Sequence, residues 1–446
     1  MAAETRSQRE VLVAFGAIML ATLLAALDQT IVATALPKIA DDLNGFRNLS
    51  WVVTAYLLTT TVTVPLYGKL SDLYGRRRLF VVSISIFLLG SALCGAAQSM
   101  GELIAFRALQ GIGAGGLIPL SQAAIADLFT PRERGRYQGY IGAMWATAAI
   151  AGPLLGGTLT DTASWRWIFF INLPLGAFAL LVVVRTMRVP SEVREHSIDY
   201  WGAVLLIAGV TAILLTSSWP VTAAGVAALL GFVALERRVP EPLLPLGLFR
   251  IRTFTVSTLA ALLIGGVLFG ITIYVPVFVQ RVLGASATGS GVVLIPLSLG
   301  WVVASFASGQ LISRTGRYRA FPILGATLVL AGCILLALLD GDSSRTAVTL
   351  DLTVIGLGMG TMFQVFVIAT QNRVRMSDIG VATAAIQFFR SMGGSLAVAG
   401  LGALLTARLA SGVESGTHAV FVAIVPLAAL VLVLAVLLPE HELRGS

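Results

Sequence analysis

Long apolar segments alternate with short polar ones along almost the whole chain. A helix needs about 20 apolar residues to cross the hydrocarbon core of a membrane. By that rule the pattern predicts fourteen membrane spans, at 11–36, 50–67, 79–97, 102–126, 137–160, 166–184, 200–217, 219–236, 254–280, 288–312, 320–339, 346–371, 379–405 and 418–438. The seventh and eighth spans are short and meet near Ser218, so a re-entrant or interfacial hairpin is the alternative for 200–236.

The composition also indicates a protein that crosses the membrane many times. Hydrophobic residues make up 57% of the chain and charged residues 12%, with a mean hydropathy of +0.90, whereas soluble domains carry about 25% charged residues. The first apolar segment is too long for a cleavable signal peptide and contains Asp28, so it is predicted to be span 1. Cys94 and Cys333 both lie within apolar segments, and no disulfide framework is predicted.

Lysine and arginine residues are concentrated in every second loop. With the N-terminus inside, the predicted cytoplasmic segments hold 22 of the 30 basic residues and the outside segments hold six, while Arg107 and Arg390 lie within spans. Basic residues mark the cytoplasmic side of membrane proteins. Both termini are therefore predicted to be cytoplasmic and the number of spans to be even. This topology accounts for the net charge of +8, and no nucleic-acid partner is expected.

Two short motifs recur at nearly the same interval and predict an internal repeat. The segment Gly68-Lys-Leu-Ser-Asp-Leu-Tyr-Gly-Arg-Arg-Arg78, predicted to be a loop, has a degraded copy 241 residues later at Gly309–Arg319. At an offset of 245, three glycines of span 4 match three of span 12, namely Gly111, Gly113 and Gly115 with Gly356, Gly358 and Gly360. The predicted fold is all-α and polytopic, with a six-helix bundle in 1–184, a second in 253–446, and a linker with an inserted two-helix hairpin in 185–252.

Charged residues inside membrane spans are costly and usually functional. Asp28 lies about 25 Å from the inner end of span 1, and Arg107 lies roughly 30 Å from the inner end of span 4. The two are therefore expected at similar depth, as partners or near neighbours. A partly dehydrated carboxyl beside a cation can exchange a proton as access alternates between the two sides. The alternative is a static ion pair that fixes helix packing.

Two further charges lie inside spans of the second half. Asp351 is near the outer end of span 12, where it faces either a cavity or, as the alternative, interfacial water. Arg390 is near the middle of span 13, one turn after Gln387. A base at that depth must face protein or water, so a cavity or gating role is predicted. The alternative is a packing residue bonded to backbone carbonyls.

Span 5 contains the sequence Gly152-Pro-Leu-Leu-Gly-Gly157. Proline removes a backbone donor and can kink a helix, while glycines permit close helix approach. A kinked and closely packed pivot is therefore predicted at Gly152, Pro153, Gly156 and Gly157. Ordinary packing of small residues is the alternative.

These motifs together resemble the major facilitator superfamily and, within it, the EmrB/QacA-type drug:proton antiporters with fourteen spans. The matching segments are Leu27–Pro37, Gly68–Arg78, Arg107–Gly113, Gly152–Gly157 and Ser164–Pro174. They cover the first six spans, and the second half matches mainly by its span pattern. The resemblance implies the major facilitator fold, in which two bundles rock to give alternating access.

The resemblance also implies a role for each motif. Asp28 and Arg107 would act in proton coupling, and the 152–157 motif would be the antiport pivot. An inner gate would be formed by Gly68, Asp72, Gly75, Arg76, Arg77 and Arg78, with Asp72 attracting the positive N-terminus of span 13. Ser313 stands where the second copy should have this acid, so a weaker gate is expected there. The candidate cavity residues are Gln110, Asp351, Gln387 and Arg390.

The resulting hypothesis is a monomeric exporter in a bacterial cytoplasmic membrane that exchanges protons for amphipathic, often cationic drugs. One alternative is an exporter with the same mechanism and a narrow physiological substrate, such as a lipid, a siderophore or a self-made antibiotic. Na⁺ is the alternative coupling ion. No enzyme activity, metal site or cofactor is predicted, because the sequence has no phosphate-binding glycine-rich loop and, apart from His418 at the first position of span 14, no histidine within a span. The buried charges of spans 1 and 4 disfavour a non-transporting receptor or scaffold.

Overall fold

The computed structural model describes residues 8–128, 131–186, 200–215, 219–239, 246–315, 317–375 and 378–440. These residues fold into α-helices joined by short connections and 3₁₀ turns. The helices are α1 (Gln8–Asp42), α2 (Leu49–Tyr74), α3 (Arg76–Ala96), α4 (Met100–Leu128), α5 (Pro131–Thr162), α6 (Trp167–Phe170), α7 (Asn172–Thr186), α8 (Tyr200–Leu215), α9 (Trp219–Glu236), α10 (Arg252–Arg281), α11 (Ala287–Thr315), α12 (Ala320–Ala337), α13 (Arg345–Arg373), α14 (Ile379–Arg408) and α15 (Val413–Leu437).

A helix lies at each predicted span, with α6 and α7 together in the sixth. In the described part of the chain, ten helical segments are long and apolar enough to cross a membrane. The prediction of an all-helical, multi-pass membrane protein is therefore confirmed. Helices α2 and α5 are not among these ten, nor are α8 and α9, which have 16 and 18 residues, so the total of fourteen spans remains a prediction.

Two sets of helices, α1–α7 and α10–α15, repeat one pattern of neighbours. In the first set α4 packs against α2 and α3, while α1 packs against α5 and α7. In the second set α13 packs against α11 and α12, while α10 packs against α14 and α15. Helix α10 therefore takes the place of α1, and α13 takes the place of α4. This correspondence is the one that the sequence repeat predicts.

The matched glycines make equivalent contacts in the two sets. Gly111 and Gly115 lie against α2, and their counterparts Gly356 and Gly360 lie against α11. Gly113 lies against α3, and its counterpart Gly358 lies against α12. At each of these positions an added methyl group would overlap the facing helix, so the small residue is what allows the helices to approach.

Helices α8 and α9 form a hairpin that packs on both sets. Apolar side chains of the hairpin, Leu206, Val210 and Phe232, form a cluster with Leu58 and Val62 of α2. Phe388 and Met392 of α14 pack against the same cluster. The hairpin thus covers a place where the first set meets the second. Whether both of its helices cross the membrane stays a prediction.

The predicted loop at 68–78 is wrong as a loop. Residues up to Tyr74 continue α2 as a helix, α3 begins at Arg76, and Gly75 alone links them. Gly75 has φ 89° and ψ 134°, a backbone conformation that residues with a side chain rarely adopt. The charges of this motif suggested a loop. The two helices instead continue through the motif, because a single glycine suffices for the turn between them.

Replacing Gly75 with Ala is expected to destabilise the protein by about 1–3 kcal/mol, the cost of a strained backbone position. Gly16→Ala is a matched control, because Gly16 lies within α1 and nothing lies within 4 Å of an added methyl group. The measurement is the thermal unfolding midpoint of each purified variant in detergent. Equal midpoints for Gly75→Ala and the wild type would contradict the positive φ at this position.

Candidate functional site

Asp28 of α1 and Arg107 of α4 form an ion pair in the interior of the first set. The Arg107 Nη1 atom lies 2.7 Å from Asp28 Oδ2, and the side chains are 1% and 0% exposed. The sequence predicted these two residues to lie at similar depth, and the structure places them in direct contact. Such a pair is stable in an interior only when further hydrogen bonds compensate the lost solvation.

Two amide side chains supply those hydrogen bonds to Asp28. Gln110 donates from Nε2 to Asp28 Oδ1 over 2.8 Å and accepts from Arg107 Nη1 over 2.7 Å. Asn172 of α7 donates from Nδ2 to Asp28 Oδ1 over 3.4 Å and to the Ser91 hydroxyl of α3 over 3.0 Å. We call Asp28, Arg107, Gln110 and Asn172 the charge cluster.

The Arg107 guanidinium is also held on its other sides. Its Nε donates to the backbone carbonyl of Val52 over 3.2 Å. Its central carbon lies 4.0 Å from the ring centre of Tyr56 and 5.8 Å from that of Phe169. Aromatic faces stabilise a desolvated cation. Arg107 is therefore held by several groups, of which Asp28 carries the balancing charge.

Sequence reasoning placed Gln110 among the cavity residues and missed Asn172. The structure buries Gln110 completely within the charge cluster, so it is not a cavity wall in this conformation. It lies three residues after Arg107, which puts both on one face of α4. Asn172 is polar within the apolar sequence Ile171–Pro174, and that interruption is the signal that could have identified it.

The glycine-proline motif of span 5 lies between two helices. Helix α5 is continuous through Pro153. Gly152 and Gly156 face Thr30 and Ile31 of α1, whereas Gly157 faces α11 of the second set. A methyl carbon on Gly157 would lie 2.5 Å from Thr288 Cα. The motif thus contacts both sets, as a pivot requires, and the pivot role itself remains a prediction.

The same end of α5 ties the two sets together beyond the motif. Asp161 accepts hydrogen bonds from the Thr288 backbone N–H at 2.8 Å, the Thr288 hydroxyl at 2.6 Å and the Ala287 N–H at 3.2 Å. Partial burial would raise the pKa of Asp161, but these hydrogen bonds outweigh it and hold the pKa below its ordinary value. A carboxylate at the N-terminus of α11 also complements the helix dipole.

Other contacts between the sets lie at this end, which the basic-residue pattern predicts to be the outer one. Gln280 of α10 donates to the Thr34 carbonyl of α1 over 2.8 Å. Arg281 pairs with Asp41 and donates to the Pro37 carbonyl over 2.9 Å. We call these contacts, with those of Asp161, the outer closure. They join α1 and α5 of the first set to α10 and α11 of the second.

Arg390 has a different environment from Arg107. Its guanidinium carbon lies 5.2 Å from the ring centre of Phe363 on α13, and its buried Nε has no hydrogen-bond partner. Gln387 is half-buried one turn earlier. Asp351 is 7% exposed and shares a face of α13 with Gly358, which packs against α12. The structure brings Gln387 and Arg390 together but leaves Asp351 apart, and their cavity roles remain predictions.

The predicted inner gate is described only in part. Arg77 donates to the Val184 carbonyl of α7, within the first set. Arg78 is exposed, and Arg76 is half-buried. The burial of Gly68, the side chains of Asp72 and Ser313, and the residues 376 and 377 before α14 lie outside the described part. The attraction between Asp72 and the start of α14 therefore stays a prediction.

The chain is similar to known membrane transporters. Residues 18–398 match the model of the Major Facilitator Superfamily. The chain is 38% identical to the multidrug transporter protein MdtP of Bacillus subtilis, over 92% of this chain and 77% of that protein. It is 35% identical to multidrug resistance protein 3 of the same organism, over 87% of this chain and 78% of that protein. A crystal structure of an auto-inhibited POT family peptide transporter shares the fold, with a TM-score of 0.75 over 98% of each chain at 13% identity.

Proposed function

Because the chain belongs to the Major Facilitator Superfamily and is a transporter rather than an enzyme, we propose that it exports amphipathic, often cationic molecules in exchange for protons. The names of the two Bacillus subtilis relatives support drug-like substrates. The proposal places the protein in a bacterial cytoplasmic membrane as a monomer, with both termini inside. Its fourteen spans would form bundles in 1–184 and 253–446, with the hairpin of 185–252 between them.

The observation that carries the proposal is the charge cluster. Asp28 is an acid within a span, fully buried and neutralised by one cation. Protonation of Asp28 removes the charge that balances Arg107, so proton binding must alter the free energy of this conformation. Proton binding and conformational change are linked wherever the two conformations bind the proton with different affinity.

The outer closure supplies the second conformational element. In this structure it joins α1, α5, α10 and α11 at the predicted outer end. Opening it would expose the way to Asp28 from outside, and the inner gate motif around Gly75 would then hold the inner side together. Protons would enter from the outside and leave to the inside as the substrate moves the other way.

The direct test uses the purified protein in proteoliposomes with a pH-sensitive dye, with ethidium and a neutral amphipathic drug in parallel. We expect each compound to cause proton movement that empty liposomes do not show, and an imposed pH gradient to accumulate the compound. If ethidium moves without any change in pH while a Na⁺ gradient drives it, Na⁺ is the coupling ion. If neither compound moves, the multidrug proposal fails and a narrow physiological substrate takes its place.

A further inference from the structure

Arg390 is a cation within an apolar helix, and the described residues provide no counter-ion for it. Among the described residues its guanidinium makes no ion pair and donates no hydrogen bond, and its Nε is fully buried. Arg107, the other arginine within a span, has a carboxylate, an amide, a carbonyl and two aromatic rings around it. A buried polar group without a partner is rare in proteins and calls for an explanation.

The side of α14 that carries Arg390 faces the interior of the second set. Thr383, two turns earlier on the same side, accepts a hydrogen bond from Gln371 of α13. Gly394, one turn later, lies against Phe269 of α10, and the Arg390 backbone lies against Gly265 of α10. Phe388 and Met392 occupy the opposite side of α14 and pack against α2 and the hairpin. Arg390 is therefore directed away from lipid.

The helices that Arg390 faces are the counterparts of those that hold the charge cluster. Helix α10 corresponds to α1, which carries Asp28, and α13 corresponds to α4, which carries Arg107. The first set thus contains an acid and a base that neutralise each other. In the described part of the second set, no acid lies against Arg390 in this way.

Aromatic rings lie next to this base. The guanidinium carbon is 5.2 Å from the centre of the Phe363 ring, which in turn makes an edge contact at 5.9 Å with Trp301 of α11. Both rings are half-buried, so part of each is open to a ligand. Aromatic groups pack on such rings in offset or edge geometry, and a guanidinium binds carboxylates with two parallel hydrogen bonds.

We propose that Arg390 binds the anionic group of an aromatic amphipathic substrate, a carboxylate or a sulfonate, while Phe363 and Trp301 hold its ring. The proposal rests on the transport function above and adds a substrate class to it. An anion at this position supplies the counter-charge that Arg390 lacks. A cation of the same shape is repelled by Arg390, so this subsite favours acids and neutral molecules, whereas the cationic substrates proposed above would bind without contact to it.

Matched fluorescent probes can test this assignment without transport. The probes are 4-(1-pyrenyl)butyrate, 4-(1-pyrenyl)butanol and 4-(1-pyrenyl)butylammonium, which share one ring and one chain. Binding is measured at pH 8 in proteoliposomes without a gradient, from energy transfer between protein tryptophans and pyrene. We expect the wild type to bind the butyrate more tightly than the butanol, and the butylammonium most weakly.

The decisive variant is Arg390→Gln. Loss of a charge-assisted hydrogen bond should weaken butyrate binding by about 10- to 100-fold, with butanol binding unchanged within about twofold. Arg390→Lys keeps the charge but loses the planar fork, so we expect an intermediate loss. Arg319→Gln, which removes an exposed arginine at the start of α12, is the matched control and should leave all three affinities unchanged.

An unchanged ratio of butyrate to butanol affinity in Arg390→Gln would overturn the proposal and make Arg390 a packing residue. If Arg390→Gln does not fold, the wild type and Arg390→Lys still decide: a wild type that binds the butyrate no better than the butanol also overturns it. The same titration in Asp28→Asn separates the two proposals. Retained butyrate preference without proton coupling would support anion binding even if the coupling mechanism proved wrong.

Discussion

Replacing Asp28 with Asn is expected to abolish proton release driven by ethidium while ethidium binding stays measurable. Asparagine has almost the shape of aspartate, but its amide group does not take up or release a proton near neutral pH. The removal of a positioned proton-transfer group typically lowers a rate by about 100-fold or more. We therefore expect release in proteoliposomes to fall at least that far, to the level of empty liposomes.

A static ion pair would also be damaged by this change, so a second variant is needed. Removing one partner of a buried pair costs about 3–5 kcal/mol, because the other charge remains buried without compensation. Asp28→Asn and Arg107→Gln should each lower the thermal unfolding midpoint. The double variant Asp28→Asn/Arg107→Gln removes both charges and should recover most of the lost stability.

The double variant distinguishes the two roles of the pair. If Asp28 is the proton site, the double variant is stable but still does not couple. If the pair only fixes helix packing, the double variant recovers both stability and proton release. Asp351→Asn is the matched control, because it makes the same chemical change at a different buried acid, which lies in the second set. Loss of release in Asp351→Asn, with release kept in Asp28→Asn, would move the proton site to Asp351.

The pairing of Asp28 with Arg107 was predictable because charges within spans are few and helix depth can be counted from the sequence. Gln110 follows from the same helix geometry, although its burial does not. Asn172 could not be assigned to the cluster in advance, since its contact with Asp28 depends on how α7 packs against α1 and α3. Sequence periodicity gives the position of a side chain on its own helix but not the helix that it meets.

The motif around Gly75 shows the opposite case. Four basic residues, one acid and two glycines within 68–78 suggested a loop, yet both helices extend through these charges. Charged residues at the ends of membrane helices can reach the polar interface, so they do not mark the helix boundary. The positive φ of Gly75 marks the helix boundary. The motif contains two glycines, Gly68 and Gly75, and the sequence alone could not show which of them makes the turn.

Replacing Gly157 with Leu is expected to hold the outer closure open and to stop export. A methyl carbon at this position would lie 2.5 Å from Thr288 Cα and 2.7 Å from the Ala287 carbonyl oxygen. Both are backbone atoms at the start of α11, so a side-chain rotation cannot relieve the overlap. The overlap also separates Asp161 from the N–H groups that it binds. We expect the population of this conformation to fall by about tenfold or more, which corresponds to about 1.4 kcal/mol.

The change can be followed as a distance between the two sets. Spin labels on Arg47→Cys and Ala410→Cys, with Cys94 and Cys333 replaced by Ala, report on the predicted outer end by double electron–electron resonance. Gly157→Leu should add a population at longer distance. Gly400→Leu makes the same substitution in α14, where nothing lies within 4 Å of an added methyl group, and should give the distances of the parent.

Opening the outer closure should also change access to the charge cluster. Asp28 is fully buried when the closure is formed, so a membrane-permeant carbodiimide should modify it slowly in the parent protein. Gly157→Leu should react faster, because a conformation that admits protons from outside exposes this carboxyl, and Gly400→Leu should react at the parental rate. Longer label distances without faster modification would show that the outer closure does not control access to Asp28, and the alternating-access mechanism would then need another outer barrier.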